Sequence, residues 1–383
     1  MRMRPLLVLP LAFFAFGLMW GTWWALVPEL VAEYRLTPGP LGAILTAGFV
    51  AALPAMVLAG RLVDRLGAGR GIAVPAAIMA AALVLAASLP PLPFLVVAIG
   101  ALAVGSGTFD VAINGTAIGD ERWSGAGRLT LLHATFSAGG ASGALAGGLV
   151  AASAIPFQLG HLATALVLLL VGLLVARTAW VARGDEPAAP PSLALRLLPF
   201  AAIALLGLLA GGTLEAWSAL YLREDLGAGA FIAALGPAAY YLAAMTGRLL
   251  GAAVAAVLGA ATTLLLAGLG AALGMSIGLL SVEPAAAISG LAIAALGASF
   301  MLPVAVSLAA GRAGGHPARA ASYVLTLGYV GFMVGPSLVG GVAELASLRV
   351  ALAIVPLVGL MVVLVSRLPA VRRPTGQGGS IGR

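Results

Sequence analysis

Polar side chains interrupt the apolar stretches of this chain at a few positions, and these are the candidates for chemistry. Asp110 and Asn114 stand one helical turn apart within residues 93–118, and Glu215 stands within residues 196–222. A carboxyl group in an apolar helix is costly by several kcal/mol unless it is paired, hydrated or protonated, so each one marks a functional site by default. Such groups can hold a proton and can hydrogen-bond the hydroxyls of a small solute.

A second polar group follows in the next apolar stretch. If the stretch that carries Asp110 and the next one fold back on each other, Asn114 lies level with His133. Asp110 then lies level with Ser137. This arrangement predicts a carboxylate, an amide and an imidazole that together bind a polyol and carry a proton. The alternative is a structural polar cluster that joins two helices by hydrogen bonds.

Aromatic and hydroxyl side chains accompany the acids. Glu215 and Ser218 are three residues apart and share a helix face. Trp20 and Trp24 are one turn apart and can stack on the apolar face of a sugar or on an aromatic ligand. Tryptophans at the membrane interface are the alternative interpretation. Further candidates for substrate contact are Phe136, Tyr240, Tyr241 and Tyr329.

Composition excludes several other chemistries. The chain has no cysteine and no lysine, which excludes thiolate nucleophiles, Cys-ligated metals and the P-loop of ATP-driven pumps. His161, near the end of the sixth apolar stretch, and His316, in a loop, are expected to be solvated. No spacing of His and acidic residues indicates a metal site. We therefore predict that the protein is not an enzyme and uses no cofactor or metal.

The elements that position these residues are membrane-spanning helices. With 62% hydrophobic and 9% charged residues, a water-soluble fold would lack the polar surface to cover itself. A span needs about 20 apolar residues. The predicted spans are 6–33, 39–61, 71–89, 93–118, 129–154, 157–181, 196–222, 228–250, 253–280, 285–309, 318–342 and 347–367.

The arginines predict the orientation of these spans. Seventeen of the 20, Arg248 among them, fall on one side in the predicted topology, and Arg35, Arg223 and Arg349 fall on the other. Because basic residues concentrate on the cytoplasmic side, both termini are predicted to be cytoplasmic in a bacterial inner membrane. The first apolar run continues to about Pro28 without a cleavage site, so it is predicted to be an uncleaved span. The net charge of +7 is interpreted as contact with anionic lipids and not with nucleic acid.

A weak internal repeat divides the chain. The matched segments are Gly139, Gly143 and Gly148 with Gly331, Gly335 and Gly340, Gly105 with Gly297, and Gly60-Arg61-Leu62 with Gly247-Arg248-Leu249. Two parallel six-helix halves are typical of alternating-access carriers. The predicted division is a first half at 1–181, a cytoplasmic linker at 182–195, a second half at 196–367 and a cytoplasmic tail at 368–383.

A charged segment separates the second and third spans. It is Gly60-Arg-Leu-Val-Asp64-Arg65-Leu-Gly67 followed by Arg70, and it resembles the G-x-x-x-D-R-x-G signature of the major facilitator superfamily. Its glycines allow a tight turn, and Asp64 and the arginines can pair with a neighbouring helix end and latch the cytoplasmic side. The alternative is a charged loop that only sets topology.

Longer segments extend this resemblance. The stretches from Asp110 to Asn114, Arg128 to Gly140 and Gly211 to Tyr221 are similar to the fucose-permease-like branch of the superfamily. The resemblance implies an all-α integral membrane fold with 12 transmembrane helices in two pseudo-symmetric halves. In sugar-carrying members an acid-x-x-x-Asn pattern handles the coupled proton or the sugar hydroxyls, which implies these roles for Asp110 and Asn114. Glu215 and His133 are the further candidates for proton coupling.

The predicted function is therefore secondary active transport of a small organic solute, similar to a sugar or polyol, coupled to protons. The expected partners are this solute, protons and membrane lipids, and the protein is expected to be a monomer. An exporter of amphipathic compounds is the first alternative, favoured by the tryptophans and by a glycine pattern from Gly331 to Gly341 that resembles one in drug exporters. A non-transporting membrane sensor is the second.

Overall fold

The computed structural model of the chain describes residues 5–119, 126–178, 192–313 and 317–372. These residues are almost entirely helical, and no strand occurs among them. The helices are α1 Pro5–Tyr34, α2 Pro38–Ala87, α3 Leu92–Gly119, α4 Ala126–Ala152, α5 Gln158–Ala176, α6 Ser192–Leu220, α7 Ala230–Leu258, α8 Ala260–Leu280, α9 Pro284–Ala310, α10 Pro317–Leu345, α11 Leu348–Ala351, α12 Ile354–Ser366 and α13 Pro369–Arg372. A π-helical turn, Tyr221–Asp225, extends α6.

Eleven helical segments within the described ranges are long and apolar enough to cross a bilayer. The long helix α2 supplies two of them, Pro38–Ala59 and Arg65–Ala87, because its backbone breaks at Gly67, where φ is 76°. The remaining predicted span is α4. At 27 residues it is about 40 Å long, but its many Gly, Ser and Thr residues make it less apolar than the others. Together these segments form the predicted twelve-helix bundle.

The two halves have the same internal packing, which confirms the pseudo-symmetric architecture. In the first half α1 packs on α4, and α2 packs on α3 and α5. In the second half α6 packs on α10, and α8 packs on α9 and α12. A Cβ at Gly139 would collide with the backbone oxygen of Phe14 in α1, and a Cβ at the matched Gly331 would collide with that of Leu205 in α6. Glycine at these two positions lets helix backbones touch.

The eighth apolar span, Ala230–Gly251, agrees with its predicted end at residue 250. Its helix is longer, because α7 continues to Leu258 and the chain reverses at Gly259, where φ is 78°. Glycine adopts a positive φ without the steric penalty of a Cβ. Arg248 therefore lies inside the helix and not in a cytoplasmic loop.

Successive spans run in opposite directions, so the connections between them lie alternately at the two ends of the bundle. We call the end that contains the connections at 35–37, 88–91, 153–157, 226–229, 281–283 and 346–347 the Thr37 end. The opposite end contains the backbone breaks at Gly67 and Gly259, and we call it the Gly67 end.

The two halves close against each other toward the Thr37 end through α2 and α10. A Cβ at Gly42 would collide with the backbone oxygen of Pro336. The Thr46 hydroxyl donates to the backbone oxygen of Met333 (3.1 Å), and the Ser337 amide donates to Thr46 Oγ1 (3.0 Å). The symmetry-related pair, α4 and α7, also packs closely. Both contacts join one half to the other.

Glu344, an exposed residue near the end of α10, caps a helix of the other half. The Thr37 hydroxyl donates to its Oε1 (3.1 Å), and the Gly39 amide donates to its Oε2 (2.9 Å). The first amides of a helix have no partner within that helix, and the helix dipole favours an acid there. Glu344 of α10 thus ties the N-terminus of α2 to the second half.

Glu344→Gln is expected to loosen the Thr37 end. The amide has one acceptor oxygen and no charge, and losing a charged cap is worth about 1 kcal/mol, or about a fivefold change in the ratio of closed to open forms. Because the chain has no native cysteine, spin labels at Ala154→Cys and Leu345→Cys can report the separation of the halves by pulsed EPR. Glu283→Gln, at an exposed residue of the same end, is the control. Identical distance distributions in all proteins would contradict the tie.

Candidate functional site

Asp110 joins the two halves near the middle of the bundle. The Tyr329 hydroxyl of α10 donates to Asp110 Oδ2 (2.9 Å). The Asn114 amide nitrogen donates to Asp110 Oδ1 and to the Asp110 backbone oxygen, each at 2.9 Å. Asp110 and Asn114 are half-buried, and Tyr329 is 37% exposed. The carboxyl is therefore held by its own helix and by the other half while it remains accessible.

Glu215 makes the reciprocal connection. The Trp24 indole N–H of α1 donates to Glu215 Oε1 (3.0 Å), and the Tyr241 hydroxyl of α7 donates to the same oxygen (2.5 Å). All three residues are buried. Asp110 of the first half is thus bonded to the second half, and Glu215 of the second half is bonded to the first.

The tryptophans of α1 line the interior of the protein and not the membrane interface. Trp20 and Trp24 stack with ring centres 5.4 Å apart and planes inclined by 14°. Both are buried, and so is Trp23. Trp20 continues the aromatic contact to Phe49 (6.2 Å). The interface interpretation of Trp20 and Trp24 is therefore wrong, and the pair extends the Glu215 site as an aromatic surface.

The sequence analysis missed a charged residue in this site, Arg248. Its Nη1 donates to the His133 backbone oxygen (3.1 Å) and to the Ser137 hydroxyl, and its guanidinium carbon lies 5.5 Å from the centre of the Phe136 ring. It is close enough to Asp110 and Glu215 to interact with both electrostatically. The available signal was the apolar run of ten residues that follows Arg248.

His133 does not join Asp110. Helix α3 packs against α2, and α4 packs against α1 and α7, so the predicted pairing of α3 with α4 is wrong. The His133 ring meets the Phe13 ring edge-on, with centres 5.4 Å apart. The predicted group of carboxylate, amide and imidazole therefore reduces to Asp110 and Asn114, and Ser137 contacts Arg248 instead.

The other predicted contact residues surround Glu215. The rings of Tyr240 and Tyr241 meet at 5.2 Å, and Phe136 lies 6.1 Å from Tyr241. Ser218 is fully buried beside Gly236 of α7, and within the described part of the chain its hydroxyl has no hydrogen-bond partner. The structure thus brings these residues to one side of the site, while Tyr329 lies on the Asp110 side.

His161 was expected to be solvated, but it is fully buried. It lies 5.5 Å from the Trp23 ring, and neither of its ring nitrogens bonds to any residue that the structure describes. The first turn of α5 packs against α1, which removes it from water. His316 lies outside the described residues. Within the described ranges no three His, Cys, Asp or Glu residues form a group that could hold a metal ion.

A polar stripe leads from the Gly67 end to Asp110. Ser322, Thr326 and Tyr329 of α10 repeat at four- and three-residue spacing, and all three are exposed, as is the neighbouring Tyr323. Residues at this spacing share one face of a helix. The stripe supports access for water and solute from the Gly67 end, whereas α2 and α10 close the bundle toward the Thr37 end.

Comparison with known proteins agrees with this geometry. Residues 9–234 match the Major Facilitator Superfamily. The chain belongs to this superfamily. An uncharacterized MFS-type transporter of Yersinia pestis is 33% identical over 371 residues, which cover 93% of this chain and 94% of that protein. Membership confirms the resemblance to the superfamily that the sequence motifs indicated, and it identifies a multi-pass membrane transporter.

Solved superfamily structures share the fold. A bacterial homolog of the human lysosomal transporter Spinster, in an inward-facing and occupied conformation, matches with a TM-score of 0.75 at 15% identity, over 94% of this chain and 95% of that one. FucP in the outward conformation matches with a TM-score of 0.65 at 19% identity, over 95% and 98%. These matches confirm the major facilitator fold.

The superfamily signature segment surrounds the break in α2. Arg65 and Arg70 are exposed, and the side chains at positions 60 and 64 are outside what the structure describes. A Cβ at Gly69 would lie 2.9 Å from the Val175 backbone oxygen, so this segment packs on the end of α5. Residues 182–191 of the predicted linker and 373–383 of the predicted tail lie outside the described residues.

Proposed function

We propose that this transporter moves a small organic solute by alternating access and couples the movement to protons through Asp110 and Glu215. The supporting observation is the reciprocal bonding of the two carboxyls. Asp110 binds Tyr329 of the second half, and Glu215 binds Trp24 of the first. A change at either carboxyl therefore acts directly on the contact between the halves.

The protonation state of each carboxyl can bias the conformation. A hydrogen bond to an ionised acceptor is roughly twice as strong as one between neutral groups. Protonation of Asp110 weakens the bond from Tyr329, and protonation of Glu215 weakens the bonds from Trp24 and Tyr241. A proton that prefers one arrangement of the halves shifts the population toward it. His133, which lies away from both carboxyls, enters this scheme only through its backbone contact with Arg248.

The site suits a solute that has hydroxyl groups and an apolar face, such as a sugar or polyol. Asp110, Asn114 and Tyr329 offer hydrogen-bond donors and acceptors, and Phe136 offers a half-buried ring. The aromatic rings of Trp20, Trp24, Tyr240 and Tyr241, with the hydroxyls of Ser137 and Ser218 and the carboxyl of Glu215, complete the proposed contact set. We propose that a monomer in the bacterial inner membrane carries out this transport, with the Gly67 end and both termini cytoplasmic.

The signature segment is proposed to control the opening of the bundle at the Gly67 end. Its members are Gly60, Asp64, Arg65, Gly67 and Arg70. Support comes from the backbone break at Gly67 and from the packing of Gly69 on the end of α5. Loss of these contacts is expected to favour the form that is open at this end.

Export of amphipathic compounds is the second candidate function. The observation in its favour is the apolar lining beside the site, where Trp20, Trp23, Phe49 and Leu45 meet residues of α3 around a cavity of about the size of one water molecule. The Gly331–Gly341 pattern gives it no further support. Gly331 packs on α6 and Gly340 packs on α2, so these glycines serve close helix packing.

The test uses the full-length protein, purified and reconstituted into liposomes that contain a pH-sensitive dye. Sugars, polyols, organic acids and lipophilic cations are first compared by thermal shift at two pH values. Stabilising solutes are then added to the liposomes. Alkalinisation or acidification that accompanies uptake supports coupling to protons. Uptake that is independent of a pH gradient would contradict proton coupling. Stabilisation by lipophilic cations alone would favour the exporter.

A further inference from the structure

Arg248 places a positive charge in the middle of the bundle without an ion-pair partner. Among the described residues, no carboxylate oxygen lies within 4 Å of its guanidinium group. Its two hydrogen bonds, to the His133 backbone and the Ser137 hydroxyl, both come from Nη1. Nε and Nη2, which lie along one edge of the planar group, make no hydrogen bond to the described residues. An intramembrane charge of this kind is a functional candidate by default.

The neighbouring acids are bound by other donors and not by Arg248. Asn114 and Tyr329 occupy the two oxygens of Asp110, and Trp24 and Tyr241 bond to Glu215. The two acids therefore act on Arg248 at a distance without binding it. Its free edge matches the two oxygens of a carboxylate, which arginine binds in a bidentate manner.

From this geometry we infer that the transported solute carries a carboxylate group, which binds the free edge of Arg248. This inference rests on the proposed function and defines its substrate class as a hydroxylated or ring-bearing monocarboxylate, such as a sugar acid. A single charge is indicated because, among the described residues, Arg248 is the one arginine whose contacts place it in this site, and two acids stand nearby. A phosphate ester would bring a second negative charge that no described basic group balances.

The surroundings of Arg248 define the rest of the solute. The Phe136 ring lies against the guanidinium, and Tyr241 lies against Phe136. Arg248 is half-buried and is not sealed from solvent. A carboxylate at Arg248 would therefore place the remainder of the molecule between these rings and the polar groups around Asp110.

The test compares matched pairs of probes on the purified full-length protein by thermal shift. The pairs are glucuronate with glucose, gluconate with glucitol, and phenylacetate with phenylethanol. At least one carboxylate is expected to raise the unfolding temperature more than its neutral partner does. Hydrogen bonds to a charged group predict roughly 30-fold weaker binding or more in Arg248→Gln. Arg248→Lys keeps the positive charge but cannot donate two parallel hydrogen bonds, so it is expected to bind the carboxylate with intermediate affinity.

Controls separate this inference from protein folding and from the proposed function. Arg223→Gln removes one exposed positive charge at the Thr37 end and is expected to bind like the parent. Neutral partners that bind the parent as well as the carboxylates do, carboxylates that bind Arg248→Gln unchanged, or a panel in which no carboxylate stabilises the parent would each overturn the inference. If Arg248→Gln fails to fold, the inference is still tested by whether the parent protein binds the carboxylates more tightly than their neutral partners. Proton-coupled uptake of a neutral solute would leave the proposed function standing while the inference fails.

Discussion

Asp110→Asn is expected to abolish accumulation of substrate driven by a proton gradient and to retain exchange of substrate across the membrane. The amide of asparagine can still accept a hydrogen bond from Tyr329, whose hydroxyl lies 2.9 Å from the carboxylate in the native protein. It cannot bind and release a proton at neutral pH. The contact between the halves is therefore kept while its dependence on protons is lost.

The size of this effect follows from the driving force. A carrier that moves one proton with a neutral solute can concentrate it about tenfold for each pH unit of gradient. The Asp110→Asn protein is expected to stop at equal concentrations in proteoliposomes. Glu33→Gln, at an exposed residue near the Thr37 end, is the control and is expected to accumulate like the parent. Undiminished accumulation by Asp110→Asn would remove Asp110 from proton coupling.

Gly143→Val is expected to prevent stable folding of the protein. A Cβ at Gly143 would collide with the backbone oxygen of Leu18 in α1, and the Thr22 hydroxyl donates to the Gly143 backbone oxygen (3.3 Å). A side chain would have to push α4 away from α1 along the closest helix contact in the first half. Overpacking of this kind typically lowers stability by about 1–3 kcal/mol, and more where backbones touch.

Gly341→Val is the matched control for this prediction. Gly341 belongs to the equivalent glycine-rich helix of the second half, and a Cβ there would meet no atom within 4 Å. Size-exclusion profiles and unfolding temperatures of the two purified variants can be compared directly. A Gly143→Val protein that remains as monodisperse and as stable as Gly341→Val would show that the backbone contact is not needed.

Much of the fold could be predicted because lipid selects strongly for composition. Apolar stretches of about 20 residues identify the spans, and alternating arginines indicate their direction. The glycine match at Gly139 and Gly331 predicted equivalent packing in the two halves, and the structure shows it. Arg248 differs from the other arginines for a physical reason. Its charge predicts a place on the cytoplasmic side, but the apolar sequence continues to Leu258 and Arg248 contacts α4 inside the bundle.

The site was harder to predict because its contacts join distant parts of the chain. The spacing of Asp110 and Asn114 identified a polar pair on one helix face. The pairing of Asp110 with Tyr329 depends on how α3 meets α10, which local periodicity does not encode. His133 was placed beside Asp110 because their helices are consecutive in the sequence. In this fold consecutive helices are not always neighbours in space.

The modest hydrophobicity of α4 has a consequence for biogenesis. Its glycine-rich faces are covered by α1, which is synthesised before it, and by α7, which leaves the ribosome much later. During translation the nascent first half must therefore hold a weakly hydrophobic helix in the bilayer with only one of its two companions present. The second half covers the remaining face of α4 and also completes the transport pathway. Assembly of the first half therefore depends on the second.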